Sequence, residues 1–514
     1  MSTAAIRTEL IAALTAVALL APETVAFAQI AGVPPAQGLA AAPLCVLAYA
    51  VLGRSPRLIV GATAATAVIT SAAVAGLAAD PDRRARLAVA LTLLTGAILL
   101  VTGLLRCGFV ARFLAPEALR GFLFGLAVVI VVRQAAVMVD VPTRTSNAFV
   151  RGWDTMSALP HWHPASLATG LAALAVLLVL ETRLPRIPAT LLVLVAAAAA
   201  SAALHLREHG VAHVPRVPAG VPLPRLPELD AVAWLGLAPT AAGLALIVFV
   251  LGHGIADRLR DPGEPPLDAD REMTGLGAAN LLAGAVGGLA VSGSPSVSVA
   301  AHAAGGRTRW LPAMTAGLML LVGLALTPAF TLLPEPVLAA VVIMAVRPFL
   351  AIAPLRAYLA RDRRALAVAA TAILGVTTLT LIPGLLIAVA LSLLIYIADA
   401  GRLRVSELGS AGVTVLRPDG QLFFANIDRL AAAVDAALAR PGTAIVLDLT
   451  ASFDLRLGVV EALEAIRRRV ARHGRTLAFA HLYLGARDAV AASALADVPA
   501  YRSVDEAVAG LPVH

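Results

Sequence analysis

Ser292-Gly293-Ser294-Pro295-Ser296-Val297-Ser298 is a hydroxyl-rich, helix-breaking run set in the middle of an otherwise lipid-like sequence. Upstream, Ala278 to Ala290 is rich in Gly and Ala and carries no charge; downstream, Val299 to Ala304 reads as the start of a short helix. Gly61-Ala62-Thr63-Ala64-Ala65-Thr66 has the same character and opens a short apolar run after a chain reversal. Backbone groups without partners are tolerated at membrane depth only inside protein or beside a wet cavity. Two such interruptions, in corresponding places of two halves, point to a solute site between discontinuous helices. Helix N-termini present free N–H groups and partial positive charge, so the expected solute is an anion.

The composition agrees with a membrane setting. The 514 residues are 59% hydrophobic and 14% charged, against about 25% charged in soluble domains, and the mean hydropathy is +0.86. The formal charge of +8 comes from Arg alone, since no Lys occurs. Arg in short loops between apolar spans orients a membrane protein, so no nucleic-acid partner is expected. Cys45 and Cys107 offer neither a disulfide framework nor metal-ligand spacing. There is no Ser-His-Asp arrangement, phosphate loop or metal cluster, so the chain reads as a non-enzyme with no cofactor and no metal. His161 and His163 form a loop pair with no acid or Cys beside them. Residues 1–28 imitate a secretory leader through Arg7, an apolar run and Ala26-Phe27-Ala28, but Glu9 and the spans that follow favour a first transmembrane helix.

Apolar stretches of membrane-spanning length lie near 9–29, 36–53, 61–77, 87–105, 117–139, 165–182 and 188–205, then near 232–256, 274–290, 296–304, 310–333, 336–358, 364–382 and 384–399. Fourteen spans put both termini on one side. Arg54, Arg57, Arg106, Arg112, Arg183, Arg186, Arg307, Arg309, Arg361, Arg363 and Arg364 then share one face, expected to be cytoplasmic, while Arg83, Arg84 and Arg86 fall opposite. The loop 152–163 and the Pro-rich loop 214–227 are expected outside. Near residue 400 the pattern becomes that of a soluble domain. Val413 to Leu416 reads as a strand, Asp419-Gly420 as a hairpin turn and Leu422 to Ala425 as the partner strand. Ile427 to Arg440 and Val459 to Arg472 read as helices, with Ala444 to Leu449 and Thr476 to Ala480 as further strands. The expected division is a transmembrane domain over 1–400 and a small cytoplasmic α/β domain over 401–514.

Several motifs resemble the sulfate permease (SulP) family of anion transporters. PETVAFAQIAGVPPAQGL at 22–39 resembles its first span, RLIVGATAATAV at 57–68 its third, and Gln134 falls where its fifth span often carries Gln. REMTGLGAANLLAGAVGG at 271–288 is similar to its ninth span, followed by the turn at 292–298 and GGRTR at 305–309. RPDGQLFFANIDRL at 417–430 and IVLDLTASFD at 445–454 resemble the STAS domain these transporters carry. The resemblance implies an all-α polytopic domain of two inverted seven-span repeats, forming core and gate, followed by the STAS domain. It also implies a solute site between the N-termini of the third and tenth spans, elevator motion and a homodimer. Three positions depart from the family pattern. Val297 stands where the tenth span usually has Arg, and Leu251 where an acid commonly follows Phe249-Val250, which argues against Na+ coupling. Arg456 stands where some relatives carry a phosphorylated Ser or Thr, so a phosphorylation switch there is not expected.

The candidate solute-binding residues are Glu23, Phe27, Thr63, Thr66, Ser294, Ser296 and Ser298, with Glu23 and His253 as candidate proton-coupling groups. Glu23 is an acid within an apolar span, where burial disfavours its charged form, or else it serves a structural hydrogen bond or ion pair. Thr63 and Thr66 either offer hydroxyls to the solute or bond back to their own helix. Phe27 walls the site or packs in the core. His253 titrates in a proton path or is an ordinary hydrogen-bonded interior His. Arg133 pairs with Glu23, attracts the anion or makes a structural contact. The leading expectation is a secondary active transporter of a small anion (sulfate, bicarbonate or a dicarboxylate), H+-coupled or exchanging, in lipid of the bacterial plasma membrane. The alternatives are an uncoupled anion channel or facilitator, and a regulatory membrane protein signalling through its STAS domain.

Overall fold

The computed structural model describes residues 3–75, 77–78, 80–109, 115–142, 147–184, 189–215, 224, 226–325, 327–379, 381–410 and 412–511. Arg112, Arg186 and most of the Pro-rich loop 214–227 therefore lie outside the described residues. The chain divides into two compact units, Met1–Leu391 and Ser392–His514.

The first half of the helical unit runs α1 (Thr3–Ala31), α2 (Pro35–Leu52), β1 (Val60–Ala62), α3 (Ala64–Ala75), α4 (Pro81–Leu104), α5 (Pro116–Met138), α6 (Ala148–Ser157), α7 (Pro164–Arg183) and α8 (Ala189–Ala203). The second runs α9 (Ala231–Arg258), α10 (Ala269–Ala285), β2 (Val291–Gly293), α11 (Pro295–Ala303), α12 (Trp310–Ala325), α13 (Thr327–Phe330), α14 (Glu335–Val346), α15 (Ala353–Arg361), α16 (Arg363–Thr378) and α17 (Leu381–Ala400). Each apolar stretch expected from the sequence includes helix, although 61–77 begins on β1, 274–290 runs past the end of α10, and 310–333, 336–358 and 364–382 each touch two helices. Among the described residues, eight helical stretches are long and apolar enough to cross a membrane, and three further apolar helices are shorter. Pro occupies the first turn of α2, α4, α5, α7, α11 and α14, where its missing N–H costs no intrahelical bond and its fixed φ is preorganised.

Small residues let the helices of this unit approach closely. A Cβ added at Gly277 of α10 would lie 2.5 Å from the Leu100 backbone nitrogen of α4, and one at Gly96 of α4 would lie 2.6 Å from the Leu281 nitrogen. Buried acids join distant loops. Glu9 of α1 accepts the N–H groups of Arg307 and Thr308, at 3.0 and 2.9 Å. Glu272 of α10 accepts from the Tyr49 hydroxyl and from the N–H groups of Arg54 and Ser55. The buried Arg57 guanidinium reaches Asp261, Glu264 and the Leu259 carbonyl beyond the end of α9.

In the second unit, β3 (Val405–Ser410), β4 (Val413–Pro418), β5 (Ala444–Asp448), β6 (Thr476–Ala480) and β7 (Ala500–Tyr501) form one sheet in that order. β3 and β4 are antiparallel and the remaining pairs are parallel. α18 (Ile427–Leu438), α19 (Leu457–Arg472), α20 (Leu484–Ala491) and α21 (Val504–Gly510) complete it. Alternation along the strands builds two cores. Ile445, Leu447, Leu477 and Phe479 pack with α18 and α19, whereas Val413, Val415, Val446 and Ala478 pack with Ala507 and Leu511.

The expected hairpin is corrected here: the antiparallel partner of β4 precedes it, and Leu422 to Ala425 is not a strand. Local bonding holds that segment out of the sheet. Phe423 N–H donates to Asn426 Oδ1, and Asn426 Nδ2 donates to the Gln421 carbonyl, an arrangement in which a side chain displaces the ladder.

Asp448, at the end of β5, is fully buried. Burial pushes its carboxyl up, but hydrogen bonds from Thr450, His481 and Arg417 outweigh this and hold it below the usual Asp value. A depressed folded-state value means that the stabilisation is complete above the unfolded-state value of about 3.9 and is lost as pH falls through the lower folded-state value. Hydrogen exchange of the β5 amides, corrected for intrinsic rate, should therefore stay flat from neutral pH to roughly pH 5 and accelerate below about pH 4. In Asp448→Asn the amides should exchange faster at neutral pH and lose this acid dependence. An acid profile identical to that of the parent chain would remove Asp448 as its cause.

Candidate functional site

The two interrupted segments meet. β1 and β2 pair antiparallel with Val60 opposite Gly293, Gly61 opposite Ser292 and Ala62 opposite Val291. Ser294 N–H donates to the Ile59 carbonyl at 2.9 Å, and Ile59 N–H to Ser298 Oγ at 3.0 Å. Asn280 of α10 fixes the start of β2, with Nδ2 donating to the Val291 carbonyl and Oδ1 accepting from its N–H, both at 2.9 Å. Because α3 follows β1 and α11 follows β2, the antiparallel ladder sends the two helices apart from adjacent N-termini. The last strand residues, Ala62 and Gly293, are offset by two ladder positions, about 7 Å along the strands.

Each N-terminus is capped by its own hydroxyls. Thr63 N–H donates to Thr66 Oγ1, and Thr66 N–H to Thr63 Oγ1. At α11, Val297 N–H points to Ser294 Oγ at 3.4 Å. This cap and Pro295 start α11 four residues before the expected Val299.

A cavity of about 100 Å³ opens at this junction. Glu23, Phe27, Thr63, Ser294, Ser296 and Arg258 are on its wall. Ser296 Oγ donates to Glu23 Oε1 at 2.8 Å, and Ser294 Oγ lies 3.2 Å from Ser296 Oγ. Glu23 is 3% exposed, so this carboxylate has little water to solvate it. The volume lies below the ~300–1,000 Å³ of sites for drug-sized ligands, which suits a solute of few atoms.

Five of the candidates named from the sequence, Glu23, Phe27, Thr63, Ser294 and Ser296, thus come together on one wall. Thr66 and Ser298 are fully buried beside it, where their hydroxyls hold the two broken backbones. His253 stands apart from the cavity and stacks on Phe249 at 5.5 Å between ring centroids, with no hydrogen bond at its Nδ1. Val297 is fully buried, and Leu251 contributes an apolar stretch of the cavity wall. Arg133 bonds to Ser71 Oγ and the Ile30 carbonyl instead of Glu23. Arg258 was missed because Asp257-Arg258-Leu259-Arg260-Asp261 reads as a charged loop closing an apolar span. Among the described residues, no His, Cys, Asp and Glu grouping could hold a metal ion.

A helical membrane unit whose two short helices start from one strand pair, around a hydroxyl-lined cavity, defines a carrier-type membrane protein with discontinuous helices. The model of the sulfate permease family matches residues 6–364, and that of the STAS domain matches residues 407–507. The chain belongs to the sulfate permease family, whose members are transporters and not enzymes. It is 32% identical over 525 residues to the "Probable sulfate transporter Rv1739c" of Mycobacterium tuberculosis (strain ATCC 25618 / H37Rv), covering 96% of this chain and 92% of that one. It is 28% identical to the chloroplastic sulfate transporter 4.1 of Arabidopsis thaliana, over 66% of this chain and 50% of the other. The fold is that of the murine Solute Carrier 26 family member A9 anion transporter in the inward-facing state, with a TM-score of 0.92, 21% identity and coverage of 99% and 92%. The transmembrane domain of the cyanobacterium bicarbonate transporter BicA is similar at a TM-score of 0.64 and 21% identity, covering 76% of this chain and 98% of that one.

Proposed function

We propose that this protein is a secondary active transporter of small inorganic or carboxylate anions of the sulfate type, H+-coupled or exchanging, in the bacterial plasma membrane. Residues 1–400 form the transport domain, with fourteen spans in two inverted repeats moving as an elevator within a homodimer. Residues 401–514 form a cytoplasmic STAS domain. The observation that carries the reading is the β1–β2 pair, which sets the N-termini of α3 and α11 beside one cavity with Glu23, Ser294 and Ser296. Helix dipoles, hydroxyls and Arg258 favour an anion there.

Glu23 supplies the coupling. Its ionised carboxylate would repel an anion in the same small cavity, whereas its protonated form would not. Anion binding and Glu23 protonation therefore favour one another, and that reciprocity turns a proton gradient into anion uptake. The names of relatives bring sulfate and bicarbonate forward as first substrates to test.

The test is uptake of labelled sulfate, bicarbonate and a dicarboxylate into proteoliposomes at two pH values. At least one should accumulate, faster with an inward proton gradient or with a trans anion. Folded protein that moves none of the three would end the proposal. Leu251 on the cavity wall and the buried Val297 favour a second reading, an uncoupled facilitator; flux indifferent to both gradients would select it.

A further inference from the structure

Arg133, near the C-terminal end of α5, donates to Ser71 Oγ at 2.9 Å and to the Ile30 carbonyl at 3.1 Å. Both acceptors are neutral. No described carboxylate forms an ion pair with it, and none of the residues outside the described set is Asp or Glu. A guanidinium has five N–H donors, and two are engaged here. A cation inside a membrane protein ordinarily requires a partner of opposite charge, because its desolvation is not offset by neutral acceptors alone.

The space beside Arg133 can admit that partner. With Gln29, Gln134 and Glu335 it lines a second cavity of about 360 Å³. Arg151 of α6 acts on Arg133 electrostatically and adds positive charge. Glu335, on the same cavity wall, accepts from Gln29 Nε2 at 3.3 Å and is repelled by the Asp140 carboxylate, and it makes no ion pair with Arg133. This cavity shares three helices with the first. On α5, Leu123 lines the first and Arg133 the second, ten residues or about 15 Å further along. On α14, Val346 lines the first cavity and Glu335 and Val342 the second; on α1, Phe27 lines the first and Ile30 the second. The two cavities are successive chambers along one set of helices.

We infer that the second cavity is a separate position for a small anion on the route through this protein, with Arg133 as its binding cation. The inference rests on the transport reading above, because the anion is the one that route carries. In a chain with Val at the tenth-span position, the route then carries two fixed cations, Arg258 on the wall of the first cavity and Arg133 of α5 in the next chamber.

The experiment uses the full chain with Cys45 and Cys107 replaced by Ala and Val137→Cys placed on the second-cavity wall, selected for a parental size-exclusion profile and melting in detergent. A membrane-impermeant sulfonate-bearing thiol reagent is applied from each face separately. From the face that reaches Val137→Cys, sulfate, bicarbonate or succinate should slow labelling by a factor of 1 + [anion]/Kd, roughly tenfold at nine times Kd. Arg133→Gln should abolish this protection and Arg133→Lys restore part of it, while Ser296→Ala should impair uptake and leave the protection intact. Labelling unaffected by all three anions, or protection that survives Arg133→Gln, overturns the inference. If the parent chain carries none of these anions yet shows Arg133-dependent protection, the transport reading fails and the binding site stands.

Discussion

Glu23→Gln should lower gradient-driven anion uptake by about 5- to 150-fold, the range of a coupling free energy of 1–3 kcal/mol, while leaving anion exchange at equal pH nearly intact. Glutamine has the shape of glutamate, and its Oε1 can still accept the hydrogen bond that Ser296 donates to Glu23 at 2.8 Å. The cavity wall and the α11 N-terminus therefore keep their geometry. What glutamine lacks is a proton to gain and lose. The substitution separates two roles that Glu23 combines, holding Ser296 and carrying H+. Glu23→Ala tests the first, since it leaves the Ser296 hydroxyl without its acceptor in a site with little water, and it should depress exchange as well. Uptake by Glu23→Gln that still rises with the proton gradient as in the parent chain would remove Glu23 from coupling.

The parts of this site that were legible in the sequence are the parts whose chemistry is local. A hydroxyl-rich break in an apolar run is visible because lipid tolerates few alternatives for such backbone. The segments at 61–66 and 292–298 could accordingly be singled out without coordinates. In the STAS unit, β5 and β6 were legible as buried apolar runs and α18 and α19 from helical spacing. The partner of β4 was misassigned because Leu422, Phe423 and Phe424 suit a strand by composition, and only the Asn426 network shows otherwise. The long-range links were not legible. Glu9 and Glu272 look like acids near helix ends, yet, apart from the Tyr49 hydroxyl on Glu272, the partners named for them are backbone N–H groups of loops from the opposite half of the chain. Backbone acceptors and donors carry no residue signature, so no pattern in the sequence names them. Arg133 belongs with these: its apolar surroundings mark it as unusual, but the missing counter-charge is a property of three dimensions.

Gly277→Leu should be among the most damaging single substitutions in the helical unit. Its Cβ would meet the Leu100 nitrogen at 2.5 Å, the Leu100 Cα at 2.9 Å and the Gly96 carbonyl oxygen at 3.0 Å. All three are backbone atoms of α4, so no rotamer change can give way and the helices themselves must separate. In lipid, close contact between small residues is a principal source of helix association. The cost is expected at or above about 3 kcal/mol, the upper end for overpacking. Function should fail with the fold, because α10 also carries Asn280, whose amide holds Val291 at the start of β2. Displacing α10 therefore pulls on the strand pair that positions both helix N-termini. Gly317→Leu on α12 is the control, since nothing lies within 4 Å of the Cβ it would add. Size-exclusion profiles and melting in detergent should show loss of most monodisperse protein for Gly277→Leu and near-parental behaviour for Gly317→Leu. Equal melting of the two variants would mean that the α4–α10 contact is not what holds the site in place.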